Sequence, residues 1–127
     1  MLFVKTHLEK STAHGIGQFA GQFIAKGSVV YQPSPNFDMD ISDADFQKLD
    51  MFSMEHIRHY GYFDKRTGRW HLAFDDIRFC NHADVGNISA DTEATEYKLI
   101  AVKDIVVGEE LLQNYREFEQ LRKDLEK

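Results

Sequence analysis

Residues 78–87 have the sequence Arg78-Phe79-Cys80-Asn81-His82-Ala83-Asp84-Val85-Gly86-Asn87, in which two apolar side chains stand between a guanidinium and an amide-imidazole pair. The Asn81 side chain offers one acceptor and two donors, which suits the recognition of a charged, polar ligand. Arg78 is expected to order the segment through charge-assisted hydrogen bonds. The stretch therefore predicts a polar loop built for binding.

Two further segments flank this loop in the chain. On the amino-terminal side, His14-Gly15-Ile16-Gly17-Gln18-Phe19-Ala20 is followed by Ile24-Ala25-Lys26-Gly27-Ser28-Val29-Val30. On the carboxy-terminal side, the chain contains Gly108-Glu109-Glu110-Leu111-Leu112-Gln113-Asn114-Tyr115. Glycines 15 and 17 lack a Cβ and let the backbone turn sharply toward a ligand. A Gly-x-Gly alone predicts only a turn, and its co-occurrence with the other two segments favours a ligand site.

Together the three segments resemble the SET domain family. Residues 78–87 are similar to its Arg-Phe-x-Asn-His-Ser-Cys-x-Pro-Asn, residues 15–30 to its opening Gly-x-Gly signature, and residues 108–115 to its Gly-Glu-Glu-Leu-x-x-x-Tyr. Ala83, Asp84 and Gly86 depart from the pattern, which has Ser, Cys and Pro at these positions. The resemblance covers nearly the whole chain. It implies a mostly β SET-domain fold of short curved sheets with a C-terminal pseudoknot, whose final segment passes under the Asn81-His82 loop.

The resemblance also implies a function. A member of this family is expected to be an S-adenosylmethionine-dependent protein-lysine N-methyltransferase acting on a basic protein or histone-like tail. Asn81 would hold the amino-acid end of S-adenosyl-L-methionine, and the His82 backbone would hold the adenine. A core histidine packed beside Phe79 is the alternative for the His82 side chain. The cofactor-binding residues expected on this basis are Gly15, Ile16, Gly17, Arg78, Asn81 and His82.

Tyr115 is expected to be the catalytic residue. Methyl transfer needs a neutral lysine amine aligned with the methyl group, and a buried phenol is able to orient that amine. An unperturbed tyrosine has a pKa of about 10, so Tyr115 need not take the proton itself. A buried structural tyrosine is the alternative. The expected substrate channel contains Tyr60, Tyr62, Gln113 and Phe118; simple packing on a hairpin explains the first two equally well.

The composition predicts one globular domain over residues 1–127, with 43% hydrophobic residues and a formal net charge of -6. The acidic balance argues against direct nucleic-acid binding and favours a basic partner. Cys80 is the single cysteine, which rules out an internal disulfide and a Cys-x-x-Cys zinc pair and suggests an intracellular location, cytoplasmic or with chromatin. Neither a secretory signal nor a membrane span is predicted. No metal ligand is expected, because the histidines lack ligand spacing.

The chain pattern predicts the elements in outline. The expected strands are Leu2–His7, Ser28–Tyr31 and Tyr97–Val102, with a hairpin of residues 60–63 and 69–72 turning at Gly68. A short helical insert is expected over about 38–60, where Ser42 and Asp45 form a capping box for a helix reaching Met51 and a second helical turn spans Met54–His59. The aspartates at 38, 40, 43 and 45 are explained better as capping groups than as a peptide-binding patch.

A C-terminal helix over 116–127 is expected to be amphipathic and either to cover the site or to pair with a second subunit, so the chain is a monomer or a homodimer. Two other functions compete with the enzyme. One is a SET-fold module that binds a basic peptide without turnover, suggested by the altered Ala83-Asp84-Gly86 loop. The other is a dimeric assembly protein that uses the terminal helix.

Overall fold

The computed structural model describes residues 1–65, 67–91 and 98–116. Most of the elements are short strands, in keeping with the predicted mostly β fold, and two helices separate the fourth and fifth strands. In chain order the elements are β1 (Thr6–Lys10), β2 (Ile16–Ala20), β3 (Val29–Tyr31), β4 (Met39–Ser42), α1 (Asp43–Phe46), α2 (Met51–Tyr60), β5 (Tyr62–Asp64), β6 (Arg69–Leu72), a 3₁₀ helix (Asp76–Phe79), β7 (Asn81–His82), β8 (Ile88–Ala90), β9 (Leu99–Ala101) and β10 (Leu112–Gln113).

The described strands form three sheets, β1-β2, β3-β9-β8-β10-β7 and β4-β6-β5. In the largest sheet β10 lies between β7 and β8 and runs parallel to both, although β7 and β8 are joined by only the five residues 83–87. The last strand is thus inserted between two strands that are close neighbours in sequence. The pseudoknot that the resemblance implies stays a prediction; this strand order is compatible with it.

The first strand begins and ends later than predicted. The expected strand Leu2–His7 is wrong at its start, because Leu2 forms only an isolated bridge with Tyr31 and regular pairing begins at Thr6. Leu2 and Val4 instead pack against the core. Ile16 and Gly17, predicted to lie in a loop, are the first residues of β2. Pairing with β1 overrides the turn propensity of glycine here.

The insert over 38–60 contains a strand as well as helices. The predicted cap is present, since the Ser42 side chain accepts a hydrogen bond from the Asp45 N–H at 3.1 Å. The helix it caps ends at Phe46, earlier than predicted, and Asp50 caps a separate helix by accepting from the Ser53 N–H. The strand β4 was not predicted. It pairs with β6, about thirty residues further along the chain, in register Met39↔Leu72 to Ser42↔Arg69.

The hairpin prediction is confirmed: β5 and β6 pair from Tyr62↔His71 to Asp64↔Arg69, and Gly68 lies in the turn with φ 70°. Of the predicted strand Tyr97–Val102, residues 99–101 form β9, while Tyr97 lies outside the described residues. The predicted terminal helix over 116–127 also lies outside them, apart from Arg116.

A buried core joins the large sheet to the segments that cross it. Ile24 and Ile105 form a bridge between two such segments, and both side chains are fully buried. Burying a side chain of this size contributes roughly 1.5 to 3 kcal/mol. The core also holds the strands that border the polar loop of residues 78–87, so it positions the site. Its largest fully buried members include Ile24, Val30, Ile88, Leu99, Ile105 and Leu111.

Candidate functional site

Asn81 lies where the three predicted segments meet. Its side-chain Nδ2 is 2.9 Å from the His14 carbonyl oxygen, 3.3 Å from the Ile16 carbonyl oxygen and 3.0 Å from Glu110 Oε2. Its backbone pairs with Leu112 in the register of β7 with β10. Residues separated by more than sixty positions in the sequence therefore surround one amide group, as the resemblance implied.

Ser11 and Glu110 hold this junction together, and neither was a predicted site residue. The Ser11 hydroxyl donates to the Glu110 carboxylate, at 2.7 and 2.8 Å from its two oxygens, and accepts from the Ala13 N–H at 2.9 Å. Ser11 is buried. The sequence gives little indication of either role, because Ser11 is one of several residues in a predicted turn and Glu110 is one position of the Gly-Glu-Glu-Leu motif. Only the fold shows that they meet.

The Gly15-Ile16-Gly17 segment follows the prediction in part. Gly17 permits a close approach, because a Cβ at this position would lie 2.5 Å from Glu110 Oε2 and 2.9 Å from the Ser11 Cβ. Gly15 has a φ of 47°, in the left-handed region, and faces open space. Ile16 is half exposed. The segment thus combines a packed glycine with an open, accessible edge beside Asn81.

Tyr115 is anchored at both ends next to the same loop. Its backbone N–H donates to His82 Nδ1 at 3.1 Å, and its phenol hydroxyl donates to the Cys80 carbonyl oxygen. One face of the residue is open to solvent. Burial of the hydroxyl, followed by the neighbouring Cys80 thiol, raises the pKa of Tyr115 to about 12. The phenol is therefore protonated at every physiological pH.

Cys80 is buried behind the tyrosine. Its thiol donates to the Leu111 carbonyl oxygen at 3.4 Å. Burial first, and then the negative charge of Glu110, raises the pKa of Cys80 to about 12. A thiol held in this form is a poor nucleophile, because the reactive species is the thiolate. Cys80 is consequently a structural residue that lies next to the predicted catalytic residue Tyr115.

The loop of residues 83–87 forms hydrogen bonds with the segment that precedes Tyr115. Asn87 is buried; its amide nitrogen donates to the Glu110 carbonyl oxygen and its amide oxygen accepts from the Leu112 N–H, both at 2.8 Å. The Ala83 N–H donates to the Gln113 carbonyl oxygen at 3.1 Å. At Gly86 any Cβ would collide with the Leu112 carbonyl oxygen. The glycine that replaces the family's proline is thus required by the close approach of β10.

Arg78 packs on an aromatic ring and leaves its Nε atom without a partner among the described residues. Its Nε atom is buried and has no hydrogen-bond partner among the described residues, and its guanidinium carbon lies 5.2 Å from the centre of the Phe79 ring. The expected charge-assisted hydrogen bonds are therefore not observed at Nε. The side chain packs by a cation-π contact at the back of the loop.

The predicted channel residues lie in different surroundings. The Tyr60 ring meets the edge of Phe79, with ring centres 5.2 Å apart, at the back of the polar loop. Tyr62 stacks on His71 at 5.1 Å within the three-stranded sheet. Gln113 is buried in β10 opposite His82. Phe118 lies outside the described residues. Of this set, Gln113 is held directly beside the residues around Asn81 and Tyr115.

Structural contacts account for the aspartates of the insert. Asp38 accepts from the Ser34 N–H and the Phe74 N–H, Asp43 accepts from the Trp70 indole, and Asp45 pairs with Lys48. These contacts agree with the interpretation that the carboxylates cap and brace the insert. Over residues 1–65, 67–91 and 98–116, no group of three or more histidine, cysteine or acidic side chains is arranged to hold a metal ion.

The site offers mainly acceptors to a ligand. The His14 and Ile16 carbonyls and the Glu110 carboxylate surround the Asn81 amide nitrogen, and in the described part of the chain no donor reaches Asn81 Oδ1. Oxygen acceptors beside a negative charge suit an ammonium group, which has three N–H donors. The arrangement is able to receive a small ligand that carries a positively charged amine, within reach of the loop that holds Tyr115.

Comparisons with known proteins identify the family of this fold. The SET domain model matches residues 15–116. A Plasmodium falciparum protein described as a candidate histone methyltransferase has a TM-score of 0.62 at 19% identity, over 88% of this chain and 93% of that one. The structure of Chaetomium thermophilum Polycomb Repressive Complex 2 has a TM-score of 0.66 at 26% identity, over 96% of this chain and 17% of its matched chain.

A further structure of that complex, bound to S-adenosylmethionine, has a TM-score of 0.64 at 28% identity, over 96% of this chain and 16% of its own. This chain thus spans about one sixth of the polycomb chains it resembles. A search of curated protein sequences found no match. Among the helices of the described segments, none has the length and apolar character needed to span a bilayer. Because the family model covers most of the chain, this protein belongs to the SET domain family.

Proposed function

We propose that this chain transfers a methyl group from S-adenosylmethionine to the side-chain amine of a lysine on a basic protein. The observation that carries the proposal is the anchoring of Tyr115 by His82 and Cys80 beside the Asn81 junction. The phenol and the acceptor-rich ligand site are held by one loop, so their relative position is fixed by the fold. This arrangement supports the proposal of a SET-type transferase site around Asn81 and Tyr115.

The residues at the junction fit S-adenosylmethionine. This cofactor supplies, when bound, an electrophilic methyl group on a positively charged sulfur. Its amino-acid end carries an ammonium, which Asn81 Oδ1, bonded by no donor of the described residues, and the carbonyls of residues 14 and 16 are suited to receive. The open left-handed turn at Gly15 leaves room beside them. Ser11 fixes Glu110, and Glu110 fixes the Asn81 amide from the other side.

Tyr115 would act by orienting the lysine amine. A pKa raised to about 12 keeps the phenol protonated, so it does not act as a general base at neutral pH. Because its proton is donated to the Cys80 carbonyl, its oxygen would orient the amine by accepting one of the amine N–H groups. The amine must therefore lose its proton to solvent, which a partly desolvated channel promotes by lowering the lysine pKa from its ordinary value of about 10.4. Cys80 stays a neutral thiol and does not compete for the methyl group.

Charge and cysteine content support the proposed substrate class and cellular setting. A formal net charge of -6 favours encounter with basic proteins, histone-like tails included, over nucleic acids or membrane surfaces. One buried, reduced cysteine suits an intracellular location. A monomer or homodimer is compatible with this activity.

The experiment is transfer of labelled methyl from S-adenosylmethionine to a mixture of histones and other basic proteins, with methyl-lysine identified by mass spectrometry. Tyr115→Phe should retain cofactor affinity and slow transfer more than tenfold, a barrier increase of over about 1.4 kcal/mol. Tyr31→Phe is the matched control. It removes a buried hydroxyl that donates a hydrogen bond to Asp38, and this contact does not involve the residues around Asn81.

Two outcomes would contradict the proposal. Cofactor binding without transfer to any protein in the pool would favour a module that recognises a basic peptide without turnover. Absence of cofactor binding in a folded chain would favour an assembly role, to be checked by measuring the oligomeric state.

A further inference from the structure

Asp84 stands where the family pattern has a cysteine, and it touches the residues on both sides of Tyr115. Its backbone carbonyl accepts from Asn114 Nδ2 at 3.0 Å, and its carboxylate lies 3.7 Å from Arg116 Nη1. The same carboxylate lies 3.4 Å from His82 Nε2. A cysteine thiol in this position would offer neither charge nor two acceptor oxygens. The departure from the family pattern therefore adds specific contacts at the end of β10.

The contact between His82 and Tyr115 constrains the imidazole. His82 Nδ1 accepts the Tyr115 backbone N–H at 3.1 Å, so this nitrogen carries no proton. A neutral imidazole then has its proton on Nε2, the nitrogen that faces the Asp84 carboxylate. A carboxylate at the far nitrogen is a general way to select a histidine tautomer. The two contacts thus favour the same tautomer.

We propose that the His82 side chain is a positioning residue for Tyr115 and that Asp84 favours its Nε2–H tautomer over the Nδ1–H tautomer. The His82 contact fixes the backbone of Tyr115, and the Cys80 carbonyl fixes its hydroxyl. With both ends fixed, the phenol has little freedom to turn away from the junction. The expected effect of His82 on the rate of methyl transfer rests on the proposed function. In a transfer reaction, small displacements of a positioning group slow the reaction.

The direct test is the tautomer of His82, measured by long-range proton-nitrogen correlation NMR on ¹⁵N-labelled protein in mildly alkaline buffer. The chain has six histidines, and His82→Asn identifies the signal by its loss. The expected result is a protonated Nε2 and an unprotonated Nδ1. In Asp84→Ala the two nitrogen shifts should converge as the tautomers mix.

The matched control is Asp45→Ala, which removes another exposed carboxylate from an ion pair of the same length, 3.7 Å to Lys48, on α1. It should leave the His82 signals unchanged. A proton on Nδ1 in the parent chain would overturn the positioning role. Unchanged nitrogen shifts in Asp84→Ala would overturn the role of Asp84. Neither result depends on methyl transfer, so failure of the proposed function and failure of this inference are separable.

Paired substitutions of His82 provide a kinetic test. Asparagine places an amide oxygen near the Nδ1 position and keeps an acceptor for the Tyr115 N–H, whereas glutamine places its amide near the Nε2 position. His82→Asn should retain most of kcat, while His82→Gln should lower kcat about fivefold, the rate equivalent of one lost hydrogen bond. Cofactor affinity should be similar in both, and thermal unfolding verifies that both are folded. Equal kcat values in the two variants would contradict the inference.

Discussion

The Ser11 hydroxyl lies at the start of a chain of contacts that passes through the Glu110 carboxylate to the Asn81 amide. The same hydroxyl accepts N–H groups of residues 13 and 14, so it also shapes the loop that precedes Gly15. A hydrogen bond to a charged group contributes more than one between neutral groups, because the charge strengthens it. At the residue scale, Ser11 is thus expected to matter for cofactor binding although it is not at the reacting atoms.

Ser11→Ala should weaken binding of S-adenosylmethionine about tenfold. The substitution removes the hydroxyl that donates to the Glu110 carboxylate and orients this carboxylate toward the Asn81 amide. Isothermal titration calorimetry measures this affinity. Ser53→Ala is the control, since it removes a serine-carboxylate bond of the same kind, to Asp50 on α2 at 2.7 Å. Equal affinities for Ser11→Ala and the parent chain would show that the Glu110 carboxylate needs no help from Ser11.

The pH dependence of transfer should belong to the substrate amine and not to Tyr115. The pKa of Tyr115 is raised from 10 to about 12, so the neutral phenol is fully present below about pH 10 and is lost only as the pH approaches 12. Between about pH 6 and pH 9 the rate should rise as the lysine loses its proton. Tyr115→Phe should lower this curve without moving its midpoint. A Tyr115→Phe profile that becomes flat would instead identify Tyr115 as the base.

At the scale of elements, β10 depends on the loop beside it more than on its own sequence. Leu112 and Gln113 form a strand of only two residues, and such a short strand has little intrinsic stability. Parallel neighbours on both sides and two side-chain bonds from Asn87 hold it. The strand that precedes Tyr115 is therefore built from contacts distant in sequence.

Asn87→Ala should lower the free energy of unfolding by about 2 to 4 kcal/mol, because it removes a buried side chain that bonds two partly buried backbone groups, the Glu110 carbonyl and the Leu112 N–H. Chemical denaturation monitored by tryptophan fluorescence measures the change. Asn36→Ala, at an exposed position, is the control and should be close to neutral. A loss below about 0.5 kcal/mol for Asn87→Ala would mean that water replaces these bonds without cost.

The sequence prediction of elements was accurate where a local signal exists. The serine cap at 42 and the glycine of the hairpin were found because they act on residues two to four positions away. It failed for β4, whose partner β6 lies about thirty residues later, and for the end of α1, where the separate cap at Asp50 begins a new helix. Apolar patterning alone does not specify which distant strand a short segment will meet.

On the scale of the whole molecule, the excess of acidic residues is the property that would act on a basic substrate at the longest range. A net charge of -6 attracts positively charged proteins over a distance that salt shortens, to about 8 Å at physiological ionic strength. This field acts on encounter and has little influence on the chemical step.

The kcat/KM for a basic protein substrate should therefore fall on the order of tenfold between low salt and 0.5 M salt, while kcat at saturating substrate changes little. Initial-rate measurements over a series of salt concentrations test this. Thermal unfolding at each salt concentration serves as the control for stability. A kcat/KM independent of salt would show that recognition relies on apolar or hydrogen-bonded contacts instead.

The sequence by itself determined the family and the mostly β class. It also predicted the site residues Asn81, His82, Gly17 and Tyr115, because they lie in motifs whose spacing is local. Only the tertiary structure decided how they are held. Ser11, Glu110 and Asn87 act through contacts that join residues 23 to 99 positions apart, and Arg78 Nε has no hydrogen-bond partner within the described residues. The physical reason is that motif spacing is set along the chain, whereas a hydrogen-bond partner or a packed neighbour is set by which segments the core brings together.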